Sequence, residues 1–122
     1  MTAAAELQFS IQKAIREHEI WTTRLEQTIA SGKSDHTVAG VSVDNNCEFG
    51  QWLHGDPNAR ASEPRHEKVR KLHAAFHAEV GKILWLALRG NKAEALKALH
   101  GRTPYARLAA DLTTEMLALG RD

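Results

Sequence analysis

The stretch VRKLHAAFHAEVGKILWLAL, residues 69–88, decides the fold class of this chain because its apolar residues recur every three or four positions. This spacing predicts one continuous helix over residues 63–89, which begins near Ser62 and Pro64 and ends at Gly90. Its inward stripe comprises Val69, Leu72, His73, Phe76, Val80, Ile83 and Ala87, with His77 and Leu84 beside it. A helix of this length needs long partners to cover its apolar face.

Two further segments show the same helical period. The first covers residues 5–30, and Gly32 is expected to end it. Its stripe comprises Leu7, Ile11, Ala14, His18, Trp21, Leu25 and Ile29. The last covers residues 91–119, where Pro104 lacks a backbone N–H, so we expect a kink or a break after His100.

The region between the first two long helices contains the only cysteine, Cys47. Residues 32–44 show no sustained period and are expected to form a crossing loop. The residues just before the cysteine all favour helix N-caps: Asp44, Asn45 and Asn46. A short helix from Cys47 to His54 is therefore expected. The sequence predicts an all-α fold, a four-helix bundle with three long helices and one short helix that carries the cysteine.

Composition limits the classes of function that this chain can have. Its 122 residues fit a single domain, and 43 % apolar residues suffice for a core. The net charge of +1, with acids and bases interspersed, argues against a nucleic-acid-binding face. One cysteine cannot form an internal disulfide, and no signal-peptide pattern is present, so we expect a cytoplasmic location. The longest apolar run, residues 83–88, is far shorter than the roughly 20 residues of a membrane span.

Three histidines occupy positions where the helical stripes call for apolar residues. His18 lies on the first stripe, and His73 and His77 are four residues apart, so both imidazoles point to the same side of one helix. Together with Cys47 they make a His₃Cys set, which suits tetrahedral Zn²⁺. The alternative is structural, because core histidines are often satisfied by neighbours and free cysteines are often buried as small apolar residues.

The surroundings of these four residues are less well defined by the sequence. The other histidines are expected at the surface: His36, His54, His66 and His100. A partner that accepts the free N–H of a ligand histidine is expected nearby. Three acidic residues are close in sequence, and the pattern does not choose among them: Glu17, Asp44 and Glu48.

The chain resembles the chemoreceptor zinc-binding (CZB) domain family. The resemblance rests on His18 in REHEIWTTRL, on Cys47 in CEFGQWL, and on His73 with His77 in KLHAAFHAEV. It covers nearly the whole chain, which predicts a single CZB-like domain over residues 1–122. Pro104, in the last helix, departs from the expected straight bundle without touching these residues.

The resemblance implies a function as well as a fold. Members of this family are cytosolic bacterial modules that bind one Zn²⁺ per chain, here through His18, Cys47, His73 and His77. They act as homodimers, and a chemoreceptor signalling region or a diguanylate cyclase is their partner, in cis or in trans. They respond to the level of zinc, or to oxidants such as hypochlorous acid that attack the thiolate, which makes Cys47 the redox-sensitive residue.

Five residues around these ligands are expected to pack against the bundle: Trp21, Phe49, Gly50, Trp52 and Leu53. Phe49, Trp52 and Leu53 share one face of the short helix and would hold it in place. Gly50 would allow another helix to approach closely.

Three other functions are weighed against zinc sensing. Four protein ligands close a zinc site and so argue against an enzyme, since catalytic zinc keeps an open position for water. A di-iron centre of the haemerythrin type would need more histidines and inward carboxylates than the stripes contain. A zinc-stapled structural dimerisation module without a sensing role stays open as the alternative.

Overall fold

The computed structural model describes residues 3–43, 49–50 and 64–121 of the chain. Within these ranges there are five helices and no strand: α1 (Ala3–Ser31), α2 (Val38–Ser42), α3 (Pro64–Leu88), α4 (Lys92–Leu99) and α5 (Pro104–Arg121). The all-α bundle with three long helices is therefore confirmed. The predicted short helix is described only at Phe49 and Gly50, which are helical. Cys47 and the rest of that predicted helix lie outside the described residues.

The crossing segment differs from its prediction, because residues 38–42 form the helix α2 rather than a loop. Thr37 caps this helix, as its hydroxyl accepts a hydrogen bond of 3.0 Å from the backbone N–H of Gly40. Val41 is buried, and α2 packs against α3. Five residues are too few to display a helical period, so tertiary packing and not pattern determines this helix.

The last predicted helix is broken, as expected after His100. The α4 helix ends at Leu99, and Gly101 adopts a φ of 86°, a left-handed conformation that few other residues tolerate. Pro104 then starts α5 at a position where no helical N–H is needed. The Thr103 hydroxyl accepts a hydrogen bond from the N–H of Ala106 at 3.2 Å, which caps the new helix.

Four pairs of neighbouring residues define the direction of the long helices. His18 of α1 meets His73 of α3, and further along the two helices Leu25 and Leu84 line one cleft, so α1 and α3 run parallel. The α5 helix runs in the opposite direction: the Tyr105 ring is 5.5 Å from that of Phe76, and Glu115 pairs with Lys68 at 3.0 Å. The start of α3 therefore lies at the same end of the bundle as the start of α1.

One apolar core fills the space between α1, α3 and α5. Its most deeply buried side chains include Leu25, Val69, Phe76, Val80, Ile83, Leu84, Leu112 and Met116. Among the described residues, no helix is both long and apolar enough to cross a membrane. The same core contains the three histidines of the predicted site.

Candidate metal centre

Three histidines from two parallel helices meet inside the bundle. His18 projects from α1, while His73 and His77 project from adjacent turns of α3, and their exposed fractions are 8 %, 0 % and 3 %. Each offers one ring nitrogen, and these three atoms lie within 4.8 Å of one another. The predicted inward position of all three imidazoles is thus observed.

The distances between the ring nitrogens fit a common metal ion. His73 Nε2 lies 3.1 Å from His18 Nε2 and 3.1 Å from His77 Nε2. Zinc–nitrogen bonds of about 2.0–2.1 Å in a tetrahedron place neighbouring nitrogens about 3.3 Å apart. The two nitrogen pairs are therefore close to the edges of a zinc tetrahedron, and three imidazoles suit zinc chemically. A fourth ligand is needed to complete the tetrahedron.

The tautomer of His77 is fixed by α2. Its Nδ1 lies 3.1 Å from the backbone carbonyl oxygen of Val41. A carbonyl oxygen only accepts hydrogen bonds, so Nδ1 carries the proton and donates it, and Nε2 keeps its lone pair for a metal. Sequence reasoning looked for this partner among acidic side chains and missed it, since a backbone carbonyl has no sequence signature. Glu17, one of those acids, is exposed on α1.

Two phenylalanine rings pack against the imidazoles. The Phe49 ring centroid is 5.2 Å from that of His73 and 6.1 Å from that of His18, both edge to face. Phe76 contacts the cluster from α3, with ring centroids 5.4 Å from His18 and 5.7 Å from His77. Phe49 of the cysteine motif therefore lies directly against His18 and His73.

Burial keeps His18 neutral. It lowers the pKa of His18 from 6.5 to about 4, and the nearby positive charge of His77 acts in the same direction. A hydrogen bond with the backbone of Ala14 acts weakly the other way. Neutral imidazole is the form that binds metals, so His18 is available as a ligand at neutral pH.

A cleft connects the cluster with solvent. Its volume is about 480 Å³, and His18 and His77 line its inner part together with Val41. Polar and charged side chains line its outer part: Glu17, Arg24, Asp35, His36 and Thr37. Among the described residues, His18 and His77 therefore belong both to the buried cluster and to the lining of this cleft.

The remaining predicted residues are placed as follows. Trp21 is buried, and the centroid of its ring is 4.9 Å from that of His36. The Arg24 guanidinium lies over the Trp21 ring, with Cζ 4.9 Å from the ring centroid. Phe49 and Gly50 are buried, and His36 and His100 are exposed as expected. Five predicted sites lie outside the described side chains: Cys47, Trp52, Leu53, His54 and His66.

Comparison with known proteins agrees with this geometry. A sequence model of the chemoreceptor zinc-binding domain matches residues 18–84, from His18 through most of α3. No curated protein and no solved structure matches the chain significantly. The matched segment covers more than half of the chain and includes all three clustered histidines. The chain therefore belongs to the chemoreceptor zinc-binding domain family, a family of sensory and regulatory domains whose cofactor is zinc.

Proposed function

We propose that this chain is a zinc-dependent sensory domain with a His₃Cys site formed by His18, Cys47, His73 and His77. The observation that carries the proposal is the convergence of three buried imidazoles in a chain of the zinc-binding family, with His73 Nε2 3.1 Å from the Nε2 atoms of both His18 and His77. Burying three imidazoles removes their hydration, which costs free energy unless their ring nitrogens are bound by other groups. A shared Zn²⁺ offsets that loss.

Phe49 supports Cys47 as the fourth ligand. The Phe49 ring is 5.2 Å from that of His73, and Cys47 precedes Phe49 by two residues. Two residues of extended chain span at most about 7 Å, so a thiol at position 47 is within reach of the cluster. Zinc, when bound, holds such a thiol as the thiolate.

The signal in this proposal is either the level of zinc or oxidation of Cys47. The thiolate sulfur attacks the chlorine of hypochlorous acid, so that an S–Cl bond forms, the Cl–O bond breaks and hydroxide leaves. Water then displaces chloride, leaves a sulfenic acid on the sulfur and releases a proton. The sulfur loses two electrons, and chlorine ends as chloride. A sulfenic acid is a weaker metal ligand than a thiolate, so the fourth ligand is lost.

The proposed output lies outside this domain. A homodimer of the domain, treated as one unit over residues 1–122, would pass the loss of the Cys47 ligand to a chemoreceptor signalling region or a diguanylate cyclase, in cis or in trans. This places the protein in the cytoplasm, where those partners work. A closed His₃Cys site has no open position for water, so we propose that the domain has no catalytic activity.

The test is zinc release by hypochlorous acid, followed with a chromophoric zinc chelator, for wild type and Cys47→Ala. Cys47 is the only cysteine, so the variant removes every thiol and leaves the two methionines as the oxidation background. We expect one equivalent of oxidant to release zinc from the wild type, with a change in dimer association or shape measured by small-angle X-ray scattering. Release without any change in shape or association would favour the structural staple over the sensor. Retention of zinc by the oxidised wild type would contradict the redox signal.

A further inference from the structure

Helix α2 approaches α3 at a residue that has no side chain. A Cβ atom added to Gly81 would overlap the Ser42 hydroxyl, lie 3.0 Å from Ser42 Cβ and lie 3.4 Å from Ser42 Cα. Gly81 is buried in the interior of α3, where glycine is among the poorest helix formers. Its presence there is explained by the close contact with Ser42 and not by helix formation.

The same short helix carries the carbonyl that orients His77. Val41, next to Ser42, presents its carbonyl oxygen 3.1 Å from His77 Nδ1. The helix is held internally by the Thr37 cap and by a hydrogen bond from the Ser42 hydroxyl to the Val38 carbonyl at 2.6 Å. It therefore moves as one unit, and a displacement at Ser42 also displaces the Val41 carbonyl.

His77 and Gly81 are stacked on one face of α3, because they are four residues apart. The α2 helix contacts this face at both levels, through the Val41 carbonyl at His77 and through Ser42 at Gly81. The depth at which α2 lies against Gly81 thus sets the distance between the carbonyl and the imidazole one turn away.

We propose that Gly81 is a positioning residue for the zinc site, because its missing side chain lets α2 approach closely enough for the Val41 carbonyl to hold His77 in its metal-binding tautomer. The inference rests on the proposed role of His77 as a zinc ligand. It assigns a function to α2, to Ser42 and to Gly81, none of which supplies a ligand atom.

The test compares Gly81→Ala, Ser42→Gly and the double variant by zinc affinity, measured in competition with a chromophoric chelator. Loss of a partner that orients a ligand histidine typically weakens metal binding about 10- to 100-fold, and we expect Gly81→Ala to fall in that range. In the double variant, residue 42 has lost its hydroxyl and its Cβ, so the new Cβ at position 81 keeps only the 3.4 Å contact with Cα of residue 42. We therefore expect the double variant to regain the affinity of Ser42→Gly alone.

A second readout follows the proton itself. The Nδ1–H of His77, observed by imidazole ¹H–¹⁵N NMR, should be protected from exchange in the wild type, lost in Gly81→Ala and recovered in the double variant. Leu112→Ala is the control for general destabilisation, because Leu112 is buried in α5, which holds none of the proposed ligands. This control should leave both the zinc affinity and the Nδ1 signal unchanged.

The outcomes separate this inference from the proposed function. Unchanged zinc affinity in His77→Ala would remove the ligand role of His77, and the inference would fail with it. Loss of affinity in His77→Ala with none in Gly81→Ala, or a loss that Ser42→Gly does not restore, would overturn the inference alone. If Gly81→Ala does not fold, Thr37→Ala provides a second test, because it removes the exposed N-cap of α2 and should weaken that helix. Exchange of the His77 Nδ1 proton should then be faster. Unchanged exchange would equally overturn the inference.

Discussion

Two regions of the α1–α3 pair are equally buried, yet they differ in what they bury. The apolar region, beyond Trp21, contains Leu25 of α1 and Leu84 of α3, which are 0 % and 1 % exposed. His18, two turns before Leu25, and His73, three turns before Leu84, are 8 % and 0 % exposed and lie among aromatic rings. Removing aliphatic side chains from water stabilises the fold by about 25 cal/mol per Å². Removing imidazoles from water has no such gain unless their nitrogens find a partner.

The apolar region stabilises the fold, whereas the histidine region is the candidate functional site. The apolar region is stabilised by the burial of its own side chains. In the proposed function, zinc binds the lone pairs of the histidine region, so the free energy of this region would change with zinc supply and with the oxidation of a ligand. In the proposed sensor, the histidine region would change with the signal, and the apolar region would keep its structure as a scaffold.

The largest effect is expected at the centre of the histidine region. His73 Nε2 contacts the Nε2 atoms of His18 and His77, so His73→Ala removes one proposed ligand and opens a gap between the other two. Loss of a partner that only orients a ligand weakens metal binding by up to about 100-fold. We expect the zinc affinity of His73→Ala to fall by more than this. Chelator competition measures this, and His100→Ala, which removes an exposed histidine, is the matched control.

A zinc affinity in His73→Ala close to that of His100→Ala would contradict the account, because the buried cluster would then not be the metal site. Chelation of wild-type zinc should also lower the unfolding temperature. Apparent zinc-binding energies of about 10–16 kcal/mol, measured in zinc-finger peptides, exceed the stability of most small domains.

A smaller effect of a different kind is expected in the apolar region. Leu25→Ala should lower the free energy of unfolding by about 2–5 kcal/mol, since a large buried side chain leaves a cavity. The zinc affinity of the folded variant should stay at the wild-type value, because Leu25 lies two turns from His18 on α1. Urea unfolding and zinc titration together test this. A parallel loss of zinc affinity would show that the two regions are not separable.

A third effect is expected in the dependence of the free energy of unfolding on pH. In metal-free protein, burial and then the charge of His77 lower the pKa of His18 from 6.5 to about 4. The unfolded chain therefore takes up a proton at higher pH than the folded protein, so stability is complete above pH 6.5 and is lost as the pH falls towards 4. This group alone should cost about 2 kcal/mol at about pH 5.

Urea unfolding in the presence of a chelator, near neutral pH and at about pH 5, measures this loss. The variant His18→Leu cannot titrate at this position and should lose less stability over the same range. The same pH dependence in both proteins would mean that His18 is not the group responsible.

The smallest effect is expected at the hydrogen bond between the Tyr105 and Thr22 hydroxyls, 2.9 Å apart. Tyr105→Phe should destabilise the fold by about 1 kcal/mol, the usual net contribution of one such bond. Thr22→Val removes the same bond from the other side and keeps the shape of the side chain. In a double-mutant cycle the two losses should not add, and zinc binding should not change. Fully additive losses would mean that the two hydroxyls do not interact in solution.

The long elements and the histidines could be predicted from the sequence because both depend on periodicity. The apolar stripe of α3 requires a helix, and a helix forces His73 and His77 to the same side. Gly101 and Pro104 likewise indicate the break between α4 and α5 through their own backbone preferences. These features are local, so a single sequence contains them.

The partner of His77 could not be predicted for the opposite reason. It is a backbone carbonyl, presented by a helix of five residues that packs against α3 and is too short to show a helical period. The role of Gly81 depends on Ser42, which is distant in sequence, and the contact is visible only in three dimensions. Sequence patterns identify the residues that bind a metal more readily than those that orient them.

The most direct test of the account is the absorption spectrum of the protein loaded with Co²⁺ in place of zinc, for wild type beside Cys47→Ser. The account predicts the intense visible bands of tetrahedral cobalt and a near-ultraviolet thiolate-to-cobalt charge-transfer band in the wild type, with the latter lost in the variant. Absence of the charge-transfer band from wild type, or its persistence in Cys47→Ser, would contradict the His₃Cys site and with it the proposed redox signal.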